Sequence, residues 1–528
     1  MTSHRSHSSV LVIGAGLAGC ITALRLAGQG IPVTLLSASK NVENANSWLA
    51  QGGIIYRSRE SGDAERLESD IMDAGHGYNL PGAVAFLAED GPLAVEELLI
   101  EHLHVPFNKQ PEEENWSLTR EGGHSAQRIL HCADHTGRTI MEHVMHAIEN
   151  DPAITLLKGY SAIDLLTSHH HASSMIYRYQ LEDHCCGAYV LNENNGIVET
   201  MLADITVLAT GGAGQVYLHT SNSSTATGSG IAMASRAFVR LMNMEYMQFH
   251  PTTLFHIEPR RVLITESLRG EGARLVNAAG ERFMERYDPR ADLAPRDVVA
   301  RGIVDELLTT GEPCVFLDLS DVKQDLESRF PTVLQSCLAR GVDIRKEAIP
   351  VVPAAHYFCG GVLVDRQGKT SLSRLYSVGE CSCTGIHGAN RLASTSLLEA
   401  LLWGKSAADD IAGRIKSGLD SMRHIQADIR DWTPSGDEHN DDPALIAQDW
   451  STIRNTMWNY VGITRTTDRL FRAFEDLRDL SSRLHNFYKS TPMSRPILDL
   501  FHGCQTAYLI TQAALRNKND IGCHHRVK

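Results

Sequence analysis

The 528-residue sequence lacks the cysteine patterns from which metal centres and disulfide frameworks are built. Its eleven cysteines are an odd number, and no two of them form a C-x-x-C pair. Zinc sites and redox dithiols commonly use such pairs, whereas secreted disulfide frameworks use even numbers of cysteines. We therefore expect reduced thiols, no metal centre and a cytoplasmic location.

The sequence also lacks a long apolar run and an excess of basic residues. No apolar segment is long enough to cross a bilayer. The 49 Lys and Arg residues stand against 63 Asp and Glu, which gives a formal net charge of −14. Nucleic-acid binding needs a basic surface that neutralises phosphates. We expect a soluble protein of two or three domains, with no nucleic-acid and no membrane partner.

A compact β-α-β unit opens the chain. The residues predict a strand over 10–14, a helix over 17–28 and a second strand over 33–37. The turn reads G-x-G-x-x-G, which lets a helix N-terminus approach a pyrophosphate. The acidic residue usual at the end of the second strand is missing, and Ser37 stands there; this disfavours a nicotinamide cofactor but is compatible with FAD. The predicted cofactor residues of this unit are Gly14, Ala15, Gly16, Leu17, Ala18, Gly19 and Ser37.

Three further segments have two interpretations each. Residues 169–195 form a polar insertion with three consecutive histidines, which favours a solvated loop over a metal site. Ser396 and Glu399 have capping-box spacing at the start of a helix. The partial positive charge of that helix N-terminus could face a flavin, or the motif could mark an ordinary capped helix. Leu470, Phe474, Leu477, Leu480 and Leu484 have helical spacing and predict a packed face in a C-terminal helical tail, after a loop at 431–442.

Two arginines and two histidines lie in apolar or Gly/Pro-punctuated settings. They are Arg296, Arg391, His250 and His356. Thr265 and Glu266 are further candidates for the same anion site. Guanidinium binds carboxylate bidentately and imidazole adds a hydrogen bond, so this set would fit a dicarboxylate. Taken alone, a histidine in such a setting is more often a satisfied core residue, and a single arginine is more often part of a structural ion pair. Their spacing does not place them in one pocket.

The chain resembles the succinate dehydrogenase/fumarate reductase flavoproteins over nearly its whole length. The stretches that carry this resemblance are GAGLAG, AQGG, TREGGHS, ATGGAG, TGSGIAMA, QFHPT, TESLRGEGA, LAPRDVVAR, AAHYFCGGV, VGE and GANRLASTSLLEA. The family implies an α/β fold with a Rossmann-type FAD-binding domain split in sequence (1–241 and 356–418), an inserted α+β capping domain (242–355) and a C-terminal helical domain (419–528).

The resemblance also implies roles for individual residues. Arg296 matches the family's proton-transfer arginine, and His250, His356 and Arg391 complete the catalytic set. The implied substrate-binding residues are Glu121, Gln248, His250, Thr265, Glu266, His356 and Arg391. The further cofactor residues are Asn46, Ser47, Gln51, Gly52, Gly53, Thr210, Gly211, Ser229, Glu380, Ser396 and Leu397.

Two positions separate the members of the family, and one further position and the C-terminal tail depart from its pattern. Asn46 replaces the histidine that binds FAD covalently, so FAD is expected to bind without a covalent bond. Glu121 stands where the membrane-bound dehydrogenases and reductases tend to have phenylalanine and where the aspartate-oxidising members have an acid, and it offers a carboxylate to a substrate ammonium. Ser229 replaces an aspartate that helps to hold FAD, and the tail at 519–524 departs from the family's Glu-Ser-Arg-Gly-x-His.

Within the family, the resemblance is to members that oxidise L-aspartate to iminoaspartate with oxygen or fumarate as acceptor. That reaction is the first step of NAD biosynthesis, and its product would pass to quinolinate synthase. One alternative is a soluble fumarate reductase or a succinate dehydrogenase flavoprotein, which Glu121 and Asn46 disfavour. Another is a non-catalytic flavin-binding scaffold, which would leave the arginine and histidine set without a purpose.

Overall fold

The computed structural model describes residues 4–110, 115–256, 261–434, 436–437 and 442–527. The strands are β1 (Arg5–Ile13), β2 (Val33–Ser37), β3 (Ile54–Ile55), β4 (Leu118–Thr119), β5 (Ile129–Leu130), β6 (Ile154–Lys158), β7 (Tyr160–Thr167), β8 (Cys185–Asn192), β9 (Ile197–Leu208), β10 (Leu241–Met242), β11 (Met247–Leu254), β12 (Arg274–Val276), β13 (Val315–Asp318), β14 (Ile349–Phe358), β15 (Gly361–Leu363), β16 (Leu375–Ser377), β17 (Ser382–Cys383), β18 (Thr464–Arg465) and β19 (His525–Arg526).

The α-helices are α1 (Leu17–Ala27), α2 (Asp63–Ala74), α3 (Pro81–Ala94), α4 (Thr136–Asn150), α5 (Ser168–His171), α6 (Met175–Arg178), α7 (Ser229–Arg236), α8 (Ser267–Gly270), α9 (Arg296–Thr310), α10 (Leu326–Arg329), α11 (Pro331–Leu338), α12 (Thr395–Lys416), α13 (Arg423–Asp428), α14 (Pro443–Tyr460), α15 (Thr467–Ser490) and α16 (Arg495–Arg516). Val95–His102 continues α3 as a π-helix. Short 3-10 turns are Val42–Asn44, Gly214–Val216, Met284–Arg286, Ala291–Leu293 and Gly379–Cys381.

The main sheet has seven strands, in the order β6-β2-β1-β9-β8-β7, with β16 also beside β9. Strands β6, β2, β1, β9 and β16 are parallel, and both faces of β1 are covered. Val10 and Val12 pack with α1, α4 and α12, whereas Leu11 and Ile13 pack with α7. A strand buried on both faces reads as a continuous apolar run, which is why this one is visible in the sequence.

The carboxyl ends of the parallel strands bring the predicted cofactor loops together. Gly14 follows β1, Ser37 ends β2, Thr210 follows β9 and Gly379 follows β16. Ligands of open α/β sheets bind at this edge. The predicted Rossmann-type domain, assembled from separate parts of the sequence, is therefore confirmed.

A second sheet has its own core. Its four antiparallel strands have the order β11-β14-β13-β12, and α9 and α11 pack on them around Val299, Leu317 and Val351. This unit matches the predicted α+β insertion. The exact domain boundaries stay a prediction, and β14 runs through residue 355 to Phe358.

Helices α14, α15 and α16 form the predicted C-terminal helical unit. Leu470, Leu477, Leu480 and Leu484 are buried in its core, and Phe474 stacks on a tyrosine of α16. Helix α16 also contacts α7, where the Thr506 hydroxyl donates to the carbonyl of Gly228 at 3.0 Å. The tail thereby reaches the edge of the cofactor domain.

The prediction of a solvated loop over 169–195 is wrong for much of that segment. It contains α5, α6 and β8, and every residue of β8 is buried because β7 and β9 pair with it on both sides. Among the described residues, no group of three or more His, Cys, Asp or Glu side chains is placed to hold a metal ion. In the predicted loop at 431–442, residues 431–434 and 436–437 are neither helix nor strand, while 435 and 438–441 lie outside the described residues.

All eleven cysteines are unpaired and buried. Within the described ranges, no helix combines the length and the apolar character that a bilayer crossing requires.

Candidate active site

The turn between β1 and α1 depends on its glycines. Gly14 has a φ of +119°, and a Cβ there would lie 2.2 Å from the carbonyl oxygen of Ala209. A Cβ at Gly19 would lie 2.0 Å from the carbonyl oxygen of Gly14. Gly16 is the N-cap of α1 and has no side chain of its own, and the N–H of Leu17 donates to Ser47 Oγ at 3.1 Å. The turn therefore brings an open helix N-terminus close to the sheet edge, as a pyrophosphate requires.

A cavity of about 680 Å³ follows this edge of the sheet and continues under the second sheet. Gly19 and Gln248 are the two predicted site residues that do not line it. Gly19 instead allows α1 to pack closely against the residues that follow β1 and β9. The predicted residues that line it are Gly14, Ala15, Gly16, Leu17, Ala18, Ser37, Asn46, Ser47, Gln51, Gly52, Gly53, Glu121, Thr210, Gly211, Ser229, His250, Thr265, Glu266, Arg296, His356, Glu380, Arg391, Ser396 and Leu397.

Two features of the cavity lining fit FAD: buried side-chain oxygens without a partner and an open stretch of glycine backbone. Gln51 Oε1 and Thr210 Oγ1 are buried and have no hydrogen-bond partner among the residues that the structure describes. Gly211 has a φ of +76°, and a Cβ placed on it would meet nothing within 4 Å. Buried polar atoms are normally satisfied. Orphaned acceptors beside an open backbone cradle suit a ligand rich in hydroxyl and phosphate groups.

The side-chain amide of Asn46 is hydrogen-bonded through both its oxygen and its nitrogen. Its Oδ1 accepts from the backbone N–H of Ser223 at 2.8 Å, and its Nδ2 donates to Glu380 at 3.4 Å. Glu380 also accepts from the backbone N–H of Phe358 at 3.0 Å. Burial raises the pKa of Glu380 to about 7. An amide in this network is not a nucleophile, in agreement with non-covalent FAD.

The start of α12 faces the cavity, but the predicted capping box is wrong. The N-cap is Ser394, with a φ of +57°, and its hydroxyl donates to Glu121 at 2.6 Å. Glu399 turns into the core and accepts from Thr384, so tertiary partners replace the local cap. The N–H groups of the first turn, which includes Ser396, remain available to a ligand with their partial positive charge.

The structure brings the predicted arginines and histidines into one end of the cavity. The rings of His250 and His356 lie 4.9 Å apart in a T-shaped arrangement. Burial and the charge of Arg296 lower the pKa of both imidazoles well below the usual value. Burial and Arg296 also lower the pKa of Arg391 to about 10. At neutral pH this end therefore combines two guanidinium charges with two neutral imidazoles.

Glu121 joins this end of the cavity from the loop after β4. It is 4% exposed, and its carboxylate accepts from the hydroxyls of Ser267 at 2.9 Å and Ser394 at 2.6 Å. A Cβ at Gly52 would lie 2.7 Å from Glu121 Oε1, so that glycine makes room for the carboxylate. The Thr265 hydroxyl donates to Ser267 at 3.3 Å, which links it to the same group.

Glu266 and Gln248 both bond the guanidinium of Arg296, and Gln248 also bonds the backbone of Arg391. Arg296 Nε donates to Glu266 at 2.6 Å, and Arg296 Nη1 donates to Gln248 Oε1 at 3.1 Å. The Gln248 amide donates to the carbonyl of Arg391 at 2.8 Å and to Asn390 Oδ1 at 2.7 Å. Burial raises the pKa of Glu266, but the charges of Arg296 and Arg269 outweigh it, and the pKa is lowered overall. The substrate-binding roles predicted for Glu266 and Gln248 stay predictions.

Sequence reasoning missed part of the lining. Tyr357 lies inside the quoted stretch AAHYFCGGV, next to His356, and could have been identified there. Arg495, Asp499 and His502 reach the cavity from α16, and no motif marks them. Arg495 donates to the carbonyl of Ala38 at 2.8 Å, directly after β2. The C-terminal helices thus complete the cofactor end of the cavity.

The divergent tail docks beside Arg391. The backbone N–H of Cys523 donates to the carbonyl of Ala389 at 2.9 Å, and its thiol contacts Asn390 Oδ1 at 3.3 Å. His524 Nδ1 lies 2.7 Å from Arg465 Nη1. The tail therefore supports the segment that carries Arg391, although its sequence departs from the family pattern.

Known proteins are similar to this chain over nearly its whole length. A family model described as an FAD binding domain matches residues 9–397. The L-aspartate oxidase of Yersinia pestis is 42% identical over 99% of this chain and 97% of its own length. The L-aspartate oxidase of Pseudomonas aeruginosa is 41% identical over 99% and 96%. Among solved structures, the FrdA chain of E. coli quinol fumarate reductase has a TM-score of 0.85 and 26% identity, covering 99% of this chain and 92% of that chain.

Proposed function

Because this chain belongs to the L-aspartate oxidases, within the succinate dehydrogenase/fumarate reductase flavoproteins, we propose that it oxidises L-aspartate to iminoaspartate. FAD, bound without a covalent bond, is the cofactor. Oxygen, giving hydrogen peroxide, or fumarate, giving succinate, is the electron acceptor. The reaction opens the route to quinolinate and NAD.

The observation that carries the proposal is the composition of one end of the cavity. Arg296 and Arg391 supply two positive charges, and Arg269, 3.4 Å from Glu266, helps to balance the carboxylate that pairs with Arg296. Glu121 supplies a further buried carboxylate. L-aspartate has two carboxylates and an ammonium, which match these charges. Succinate and fumarate have no ammonium, so Glu121 would offer them only repulsion. This is why the soluble fumarate reductase alternative fits less well.

The residues have distinct proposed roles. Arg391, with hydrogen bonds from His250, His356 and Thr265, binds and orients the substrate carboxylates. Glu121 accepts from the ammonium and thereby fixes which face of the Cα carbon is presented. Most of the acceleration would come from this orientation and from the preplaced charges.

The cofactor residues hold FAD along the sheet edge. The α1 N-terminus suits the pyrophosphate, and Gln51, Thr210 and the first turn of α12 offer further hydrogen bonds. When bound, FAD supplies the acceptor for the Cα hydride and can return the electrons to oxygen or fumarate. Arg296, whose Nε donates to Glu266 at 2.6 Å, is the proposed donor of the proton that completes fumarate reduction.

We further infer a cytoplasmic enzyme whose product passes to quinolinate synthase. The eleven unpaired, buried cysteines support a reducing compartment. Iminoaspartate hydrolyses readily in water, which favours prompt consumption by the next enzyme.

The proposal is tested by aerobic turnover of the purified holoenzyme. We expect L-aspartate to give hydrogen peroxide together with ammonia and oxaloacetate, the hydrolysis products of iminoaspartate, in equal amounts. Without oxygen, L-aspartate should drive the reduction of fumarate to succinate. A protein that reduces fumarate with an artificial electron donor but forms no peroxide from L-aspartate would be a fumarate reductase instead.

A further inference from the structure

Behind Arg391 lies a buried polar cluster that the proposed function does not use. Its members are Tyr357, Thr384, His387 and Glu399, which come from β14, from the loop after β17 and from α12. Their exposed fractions are 6%, 3%, 5% and 0%. The hydroxyls of Tyr357 and Thr384 each donate to the Glu399 carboxylate at 2.6 Å, and His387 Nε2 lies 2.9 Å from it.

Glu399 stays ionised inside this cluster. Burial raises its pKa, but the charge of His387 and the three hydrogen bonds outweigh burial and leave the pKa below its usual value. Burial and the charge of Glu399 raise the pKa of Tyr357 well above its usual value. The tyrosine is therefore protonated, and it donates to a carboxylate at all moderate pH values.

The ring of Tyr357 supports Arg391. The guanidinium carbon lies 4.5 Å from the ring centroid, within the range of a cation–π contact. The other contacts of the guanidinium are long, with Nη1 at 3.3 Å from the carbonyl of Leu392 and 3.5 Å from Ser396 Oγ. Arg391 Nε is buried and has no partner among the described residues. The tyrosine ring is thus the main contact that sets the plane of the guanidinium.

We propose that Glu399 is a positioning residue for Arg391 and that it acts through Tyr357. The carboxylate fixes the hydroxyl, the hydroxyl fixes the ring, and the ring holds the guanidinium in the orientation that receives a carboxylate. A tyrosine that donates to a carboxylate also has a more electron-rich ring face, which strengthens its attraction for the cation. This inference rests on the proposed role of Arg391 in dicarboxylate binding.

The test measures dicarboxylate affinity in the holoenzyme, with succinate as the probe and the change in flavin absorbance as the signal. Tyr357→Phe keeps the ring and removes the bond to Glu399. We expect it to weaken succinate binding by about tenfold, the scale of one hydrogen bond to a charged group. Glu399→Gln should weaken binding in the same direction, and FAD affinity should be unchanged in both variants.

Tyr376→Phe is the matched control. Tyr376 is also buried, and its hydroxyl donates to the Asp410 carboxylate at 2.6 Å, but it does not line the cavity. This variant loses a comparable bond and should bind succinate as the wild type does. Any general effect of removing a buried tyrosine hydroxyl would appear in both proteins.

A double-mutant cycle separates positioning from a structural role. In the Arg391→Lys background, Tyr357→Phe should cost less than about twofold in succinate affinity, because the group that it positions is gone. Unchanged binding in both single variants, or losses that simply add, would overturn the inference. If the wild type failed to oxidise L-aspartate while this coupling persisted, the proposed function would fall and the positioning role would stand.

Discussion

Glu121 is the residue on which substrate choice depends most directly. Its carboxylate is buried and held by Ser267 and Ser394, so it cannot turn towards solvent. Glu121→Gln keeps the size and removes the charge. A charge-assisted contact is worth roughly 1.5–3 kcal/mol, so kcat/KM for L-aspartate should fall by about one to two orders of magnitude.

Fumarate serves as the internal control for this variant. It has no ammonium and Glu121 only repels it, so fumarate reduction by the Glu121→Gln enzyme, driven by an artificial electron donor, should not fall. An equal loss with both substrates would show that Glu121 only supports Ser267 and Ser394.

Arg296 and Arg391 differ in what surrounds them. Arg296 is tied to Glu266 and Gln248, whereas Arg391 lies on a tyrosine ring with Nε unpartnered among the described residues. Lysine at either site keeps the charge and loses the planar fork. Arg391→Lys should mainly raise KM for both substrates.

Arg296→Lys should separate the two half-reactions. General acid catalysis contributes about 10²–10⁴-fold to a reaction rate. Reduction of fumarate needs the proton that Arg296 is proposed to donate, whereas removal of the Cα hydride from L-aspartate does not. We expect the ratio of fumarate reduction to aspartate oxidation to drop by at least about tenfold for Arg296→Lys and little for Arg391→Lys. Parallel falls in both activities would mean that Arg296 positions the dicarboxylate and moves no proton.

Glu380 makes the stability of the FAD-free protein depend on pH. Burial raises its pKa from 4.5 to about 7, so the folded state holds a proton that the unfolded state releases. This proton contributes about 3 kcal/mol to the free energy of unfolding. The contribution is fully present below pH 4.5 and is lost as the pH rises to about 7. In denaturant titrations, Glu380→Gln should lose less stability than the wild type between pH 5 and 7.5; parallel pH profiles would contradict this assignment.

At the scale of elements, the side chain of Asp134 attaches the start of α11 to the cofactor domain. Asp134 is buried and accepts from the backbone N–H groups of Thr332 at 3.0 Å and Val333 at 2.8 Å, at the helix start. An N-cap contributes about 0.5–2 kcal/mol. Asp134→Ala should therefore increase hydrogen exchange across Pro331–Leu338 and raise KM, because α11 forms part of the cavity wall.

Asp325→Ala is the control for that experiment. Asp325 caps the neighbouring helix α10 by accepting from the backbone N–H of Ser328 at 3.0 Å, and it does not line the cavity. It should change exchange only within α10 and leave KM unaltered. Equal changes in KM for the two variants would show that Asp134 is not the specific attachment.

The elements that could be predicted from the sequence are those with a local signal. The turn at Gly14 and the strand over 33–37 were predicted because an apolar run and the glycine spacing act within a few residues. Strand β1 begins five residues earlier than predicted, at Arg5, because its polar residues pair with β9 through backbone groups. Strand β8 was missed because its burial results from two distant partners.

The site required more than local signals. Nothing in the sequence spacing places Arg296 beside Arg391. Helix α9 packs on β11, and Gln248 of β11 accepts from the Arg296 guanidinium and donates to the carbonyl of Arg391. The residues of α16 at the cofactor end also have no motif, since their role follows from how α16 packs on α7. The resemblance to a family supplied the association of the arginines and histidines but not the residues of α16, and the structure supplies the physical cause of both.

At the scale of the whole molecule, three units share one cavity. The parallel sheet offers the dinucleotide edge, the second sheet and α9 add the arginines and histidines, and α16 completes the far end. The parallel sheet and the second sheet have separate apolar clusters, and the cluster of the C-terminal helices also takes in Met247, Phe249 and Phe358 of the second sheet, so the units pack on one another around the cavity. A substrate bound there is enclosed by elements from distant parts of the sequence.

The central claim is that this cavity binds L-aspartate and passes its electrons to FAD. The most direct measurement is anaerobic mixing of the yellow holoenzyme with L-aspartate, D-aspartate and succinate, followed by absorbance near the flavin maximum. We expect rapid loss of the yellow colour with L-aspartate and little or none with D-aspartate or succinate. Bleaching by succinate without bleaching by L-aspartate would contradict it.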